Sequence, residues 1–374
     1  MKKATWILYF MFVIMASKSF ADLQKFDSGS LKDSLVIDFN QPITPLNAFL
    51  ALEKADFVIT GIVKDKYKGK EGIPWMINGQ PTTLTEVIVV FQIDGVIKGP
   101  KKREVRIVFY DSKDFLLYLG ELSKDNQRWL IFLKQHGKRY SLLAPESRMI
   151  VYEHPPQYRN LNSSTDKLVE ELISTAEHSK ERVAFEAVKQ LGYFKHYRAH
   201  AVLRRLASSK DIVLQGNAFA SLLMQGDTSV ASDAIRYVDV YSSDVYSAPN
   251  NYLINHNRGR ILSAISQLND EKLLPLLYPL TRHGDTYIRR YVFDILRKIP
   301  KKSSIPYFIQ GLEDADIDIR YTAFWSLAEA RTQLEGEGWE GDWHCPSSPE
   351  EFQANQTKYI QYWLDWYTIQ TKNR

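Results

Sequence analysis

The stretch at residues 314–330, DADIDIRYTAFWSLAEA, decides how the second half of the chain is read. Counted from Arg320, positions +3, +4 and +7 are Ala323, Phe324 and Leu327, which share one face of a helix. The same offsets from Arg289 give Val292, Phe293 and Leu296, and from Ile261 they give Ala264, Ile265 and Leu268. From Gln215 they give Ala218, Phe219 and Leu222, and from Ala184 they give Ala187, Val188 and Leu191. Five copies therefore carry a small or short-branched residue, a larger apolar residue and a leucine in register. Four residues ahead of each zero position stand Asp316, Asp285, Asn257 and Asp211, residue types that accept from the free N–H groups of a helix start. Only Lys180, in the first copy, lacks that ability. Further apolar segments follow, as at residues 303–314 and 271–283, so the expected unit is a pair of helices.

The zero positions are 31, 46, 28 and 31 residues apart. A period near 30, a helix pair and the D-x-x-x-R entry of Asp285/Arg289 and Asp316/Arg320 resemble the short HEAT repeats, including those of the phycobilisome-lyase type. The resemblance covers residues 165–331 and implies an α-α solenoid of about five repeats, each burying its apolar face on the next. An ordinary helical bundle is the alternative. The tail at 349–370 reads as one long helix whose Phe352, Tyr359, Trp363 and Trp366 form an aromatic stripe, expected to close the last repeat.

Residues 55–152 follow a different period. DFVITGIVKD (56–65), LTEVIVVFQIDGVIKG (84–99), EVRIVFY (104–110), RWLIFLK (128–134) and RYSLLA (139–144) are rich in β-branched and aromatic residues and suit strands. Five strands in about a hundred residues predict a small antiparallel barrel or sandwich. The strand ending DGVIKG, a polar hairpin and RWLIFLK resemble the oligosaccharide/oligonucleotide-binding (OB) and netrin-like barrels of exported bacterial proteins. Netrin-like inhibitors chelate a metal through an N-terminal cysteine; the single cysteine here is Cys345, so that mechanism does not carry over.

Residues 1–21, MKKATWILYFMFVIMASKSFA, have a basic start, a short apolar run and small Ser19 and Ala21 before a cleavage point. That is the plan of a secretory signal peptide, with an uncleaved anchor as the alternative. Lys2, Lys3 and Lys18 fall within it, so the 48 basic residues drop to 45 against 44 acidic ones, a formal charge of +1. Nucleic acid thereby loses its electrostatic argument as a partner. The expected organisation is a signal peptide (1–21), a β-barrel domain (22–155), a linker (156–165), a HEAT-like solenoid (166–335) and an aromatic cap (336–374). No transmembrane segment is expected in the mature chain, which would be periplasmic or secreted.

Chemistry is sparse. His196 and His200 are spaced as metal-binding pairs are, but no H-E-x-x-H surrounds them and surface histidines are the simpler reading. His344 and Cys345, with Asp342, supply too few ligands for zinc. Glu170/Glu171 and Glu350/Glu351 read as helix-start carboxylates favoured by the dipole. No cofactor, metal or catalytic residue is expected. The candidate for binding is the 46-residue interval, which inserts about 15 residues near 241–256, with a tolerated surface insertion as the alternative. Tyr241, Tyr246 and Tyr252, interleaved with Asn250 and Asn251, suit an interface, with Trp75 in the loop after the first strand as a second anchor. Lys98, Lys101, Lys102, Arg103 and Arg106 offer a hairpin to an anionic surface, or keep a turn soluble. The expected function is an exported envelope scaffold that binds a protein partner without catalysis. The alternatives are an enzyme or chromophore lyase, or a carbohydrate-binding barrel on a helical stalk.

Overall fold

The computed structural model describes residues 46–77, 80–111, 127–144, 147–158, 161–240, 251–335, 346 and 348–372. Residues 1–21, Tyr241, Tyr246, Asn250, Asp342, His344 and Cys345 lie outside these. The chain divides into two compact units, residues 1–179 and 180–374. No helix of the described residues is long and apolar enough to cross a membrane.

In the first unit, helix α1 (Ala48–Lys54) is followed by β1 (Phe57–Lys68), β2 (Ile73–Ile77), β3 (Gln80–Lys98), β4 (Glu104–Asp111), β5 (Arg128–His136), β6 (Arg139–Leu142) and β7 (Arg148–Ile150). β1 pairs with β3 on one side and with β5 on the other. β3 pairs with β4, β4 meets β6 in parallel at Ile107 and Tyr140, and β6 pairs with β5. The ring β1–β3–β4–β6–β5–β1 is closed, a five-stranded barrel in which the strands cover one another's edges. Side chains alternate inward from strand to strand: Phe57 and Ile59, then Val87, Val89 and Phe91, then Val105 and Ile107, then Trp129, Ile131 and Leu133. Burying each such side chain contributes about 1.5–3 kcal/mol. At Thr60/Gly61 the β1–β3 register slips, and a Cβ on Gly61 would stand 2.0 Å from the Gln92 carbonyl oxygen. A side chain there forces the two strands apart.

The five expected strands are present, and β2 and β7 join them. Trp75, expected in a loop, stands in β2 opposite Thr82. The reason is that β3 starts early, at Gln80, and its extended first residues supply partners for the IPWMI backbone. Helix α2 (Ser164–His178), which the change of period assigns to the helical half, packs on β3 and lies ahead of the division between the units.

The second unit holds α3 (Glu181–Leu191), α4 (Tyr197–Leu206), α5 (Ile212–Met224), α6 (Ala231–Val240), α7 (Asn251–Leu268), α8 (Leu274–Leu277), α9 (Thr286–Lys298), α10 (Ile305–Gly311), α11 (Ile317–Glu335) and α12 (Pro349–Lys372). Helices α3, α5, α7, α9, α11 and α12 each pack on the next, α4 and α6 lie against α5, and α10 lies against α11. The layout is β followed by α. Of the fifteen +3, +4 and +7 positions, all but Leu268, at the end of its helix, are buried.

Asp211, Asp285 and Asp316 cap their helices, accepting from the N–H groups of Val213, Tyr287 and Ile319 among others. Asn257 does not. It lies well inside α7, because that helix begins six residues earlier and the neighbouring N–H groups are already bonded within it. Its buried amide donates instead to the Val213 carbonyl at 2.8 Å. The segment 271–283 is also not one helix: α8 spans four residues between 3-10 turns. Pro275 and Pro279 remove the N–H groups that a continuous helix would use. At the far end, Phe352, Tyr359 and Trp363 of α12 surround Phe324 with ring centroids 5.5, 5.3 and 6.2 Å away, and Trp366 is partly buried.

Candidate functional site

Of the expected binding segment, Asn251 and Tyr252 lie among the described residues. Asn251 and Tyr252 form the first turn of α7 rather than a loop, and the Tyr252 side chain is 74% exposed and stacks on His256. In the basic hairpin, Lys98 donates to the carbonyls of Leu52 and Glu53 at the end of α1, and Lys102 donates to the Tyr140 hydroxyl. These two charges are turned onto the protein, while Lys101, Arg103 and Arg106 are exposed. His196 is the N-cap of α4, and His200 bonds Asp227 at 2.9 Å, so the pair is divided between two tasks.

Two clusters of ionisable groups stand out, and sequence reasoning identified neither. The first is closed. Arg128, at the start of β5, is 1% exposed and reaches Asp94 at 2.7 Å, the Thr60 hydroxyl at 2.8 Å, the Tyr152 carbonyl at 2.9 Å and both oxygens of Glu171. Glu171 is not a helix-start carboxylate: α2 begins at Ser164, and Glu171 sits mid-helix, fully buried, accepting also from the Tyr158 hydroxyl. Burial raises Glu171 above the usual carboxylate range, against the opposing pull of Arg128. Burial alone would lower the Arg128 guanidinium, but the bonds to Glu171 and Asp94 outweigh it and leave it above its ordinary value. Arg128 and both Glu171 oxygens are bonded within the barrel unit. This cluster fixes α2 to the barrel.

The second cluster, between α3, α5 and α7, is only partly buried. Asn217 and Ser221 on α5 are fully buried and donate across to α3, to the Phe185 carbonyl at 2.6 Å and the Val188 carbonyl at 3.1 Å. Because the Asn217 amide is held by its nitrogen, its oxygen faces away from α3 and accepts from Arg260 on α7. Arg260 also reaches the Ser221 hydroxyl and the Met224 sulfur, both at 3.4 Å. Around it lie Glu186, Lys189, Tyr193 and His256, all partly buried. Glu186 is engaged by Lys189 at 3.2 Å and by Gln190 at 2.6 Å. His256 packs on Phe185, with ring centroids 5.7 Å apart, and on Tyr252. Burial, together with Arg260 and Lys189, lowers His256 below its ordinary value, so it is neutral at pH 7. Burial raises Tyr193 and pushes Arg260 down to about 10. Tyr193, His256 and Arg260 thus share one partly buried cluster between α3, α5 and α7, each shifted chiefly by burial.

The signal for this site was available but unpaired. Arg260 stands one residue before the zero position Ile261, and its neighbours come from three copies of the helix pattern. A shallow depression of about 380 Å³ lies nearby in sequence, lined by residues including His196, Tyr197, His200 and Asp227. There Ser229 donates to Asp227 at 2.8 Å, and Asp227 also binds His200 and Arg204. The carboxylate, not the imidazole, contacts the hydroxyl, which is the wrong order for activating a nucleophile. Among the described residues, no group of three or more His, Cys, Asp or Glu side chains is arranged to hold a metal. Compared with known proteins, the chain matches no protein-family model and no curated protein.

Proposed function

We propose that the protein is an exported scaffold that binds a polypeptide partner on the face formed by α3, α5 and α7. The observation that carries this reading is the cluster around Arg260. An exposed Tyr252 and a neutral His256 stand beside a guanidinium that donates to buried Asn217 and, at 3.4 Å, to buried Ser221. Rigid aromatic anchors beside oriented polar groups are what polypeptide interfaces use. No part of the reading calls on catalysis.

The repeated helical architecture supports it. Arg289 donates to the carbonyls six and five residues before it, of His283 and Gly284, and Arg320 does the same to Asp314 and Ala315. Arg258 on α7 pairs with the capping Asp285 of α9, and Arg290 on α9 pairs with the capping Asp316 of α11. Identical bonds at identical offsets favour stacked HEAT-like repeats, with α12 as their cap, and such stacks present extended binding faces. The strand order of the barrel favours an OB-type module in the first unit. The leader-like segment 1–21 favours export to the periplasm or beyond.

The test is photo-cross-linking in intact cells, with a photoreactive residue replacing Tyr252 in the full-length protein and, as control, replacing the exposed Arg236 of α6. A discrete polypeptide adduct from position 252, absent from position 236, is expected. Equal labelling from both positions, or none from position 252, overturns the reading.

A further inference from the structure

Arg260 differs from the other deeply placed arginines. Arg128, Arg258 and Arg289 each hold a carboxylate, Asp94 at 2.7 Å, Asp285 at 3.0 Å and Asp314 at 2.8 Å. Arg260 touches only neutral acceptors: the Asn217 amide oxygen, the Ser221 hydroxyl and the Met224 sulfur. Among the described residues, no carboxylate lies within ion-pair distance of it. Glu186 is engaged by Lys189 and favours the guanidinium charge only from beyond ion-pair distance, so among the described residues Arg260 has no directly paired carboxylate. A guanidinium carries five N–H donors, and three contacts leave at least two for a ligand.

Removing a charge from water without a counter-ion is costly, and protein interiors normally supply the counter-ion. Here the fold does the opposite. It spends two fully buried side chains, Asn217 and Ser221, on orienting the cation, and each of these is anchored to a backbone carbonyl of α3. Neutral acceptors orient an arginine without neutralising it. That is how a site for an incoming anion is built.

We propose that Arg260 is a receptor for a carboxylate, the acidic side chain of a polypeptide laid across α3, α5 and α7, with the Tyr252–His256 stack holding the residue beside it. This rests on the polypeptide-binding reading and names the chemistry that the face selects. A carboxylate fits better than a lipid or nucleic-acid phosphate because the cluster offers one guanidinium without a directly paired carboxylate, beside a Lys189–Glu186 pair, rather than a basic field.

The test is selection of random peptides displayed on phage against the immobilised full-length protein, then synthesis of the enriched peptides. Enriched peptides are expected to share an Asp or Glu, and its exchange for Asn or Gln should weaken binding at least about tenfold. In Arg260→Gln the same exchange should change binding less than about twofold. Arg260→Lys, which keeps the charge, should retain part of the preference and guards against a variant that fails to fold. Peptides bound equally well as acid and as amide would overturn the carboxylate assignment while leaving polypeptide binding intact. An acid preference that persists in Arg260→Gln would place the receptor elsewhere. Failure to enrich any peptide would remove the polypeptide-binding reading and this inference with it.

Discussion

At the scale of single residues, what matters is whether a buried charge is answered inside the protein. Arg128 is answered twice, by Asp94 and Glu171, so removing one partner leaves the other. Glu171→Gln is expected to cost about 3 kcal/mol, the lower end for a broken buried pair. Amide exchange along β5, measured by mass spectrometry, should then accelerate by about a hundredfold. Exposed pairs behave differently: with Lys64 and Glu104 both well exposed, Lys64→Ala should change stability by less than about 1 kcal/mol. Asp56 gives a pH dependence. The Gln135 N–H and the Lys134 ammonium hold its carboxylate below its ordinary value of 3.8. Its folded form is the weaker proton binder, so its contribution is complete above about pH 4 and is lost as acid protonates it below that. Acid unfolding curves of Asp56→Asn should converge with those of the parent at the lowest pH and diverge above it.

At the scale of elements, the helix caps are unequal. Asp211 binds only N–H groups of its own helix start, so Asp211→Ala should cost about 1 kcal/mol. Asp285 caps α9 and also answers the buried Arg258 of the preceding long helix. Asp285→Ala is therefore expected to cost at least about 2 kcal/mol more than Asp211→Ala, because it strands a charge as well as opening a cap. Urea unfolding of the two variants side by side separates these terms, and equal costs would show that the Arg258 pairing contributes nothing. The same contrast explains Asn257. A residue type suited to a cap was free to serve as a cross-helix bond once α7 began at Asn251.

At the scale of the molecule, α12 covers the end of the helical unit. Phe324, fully buried, sits among Phe352, Tyr359 and Trp363, all of which α12 supplies. Removing residues 349–374 uncovers that face and is expected to produce binding of a hydrophobic dye and concentration-dependent aggregation, visible by light scattering. A truncated chain that stays monodisperse and binds no dye would show that the aromatic stripe is not a cap. What the amino-acid order by itself determined was everything that depends on local period. Alternation of β-branched residues specified the five barrel strands, the offsets from Ala184 to Arg320 specified the buried helical faces, and Asp211, Asp285 and Asp316 specified helix starts. What only the tertiary structure decided was which distant charges meet. Arg128 and Glu171 are 43 residues apart and Arg260 and Asn217 are also 43 apart, yet one is a fully buried ion pair and the other joins a partly buried guanidinium to a neutral amide. No period in the sequence distinguishes them. Burial and the presence or absence of a second carboxylate do, and both arise only when strands and helices from separate parts of the chain are packed together.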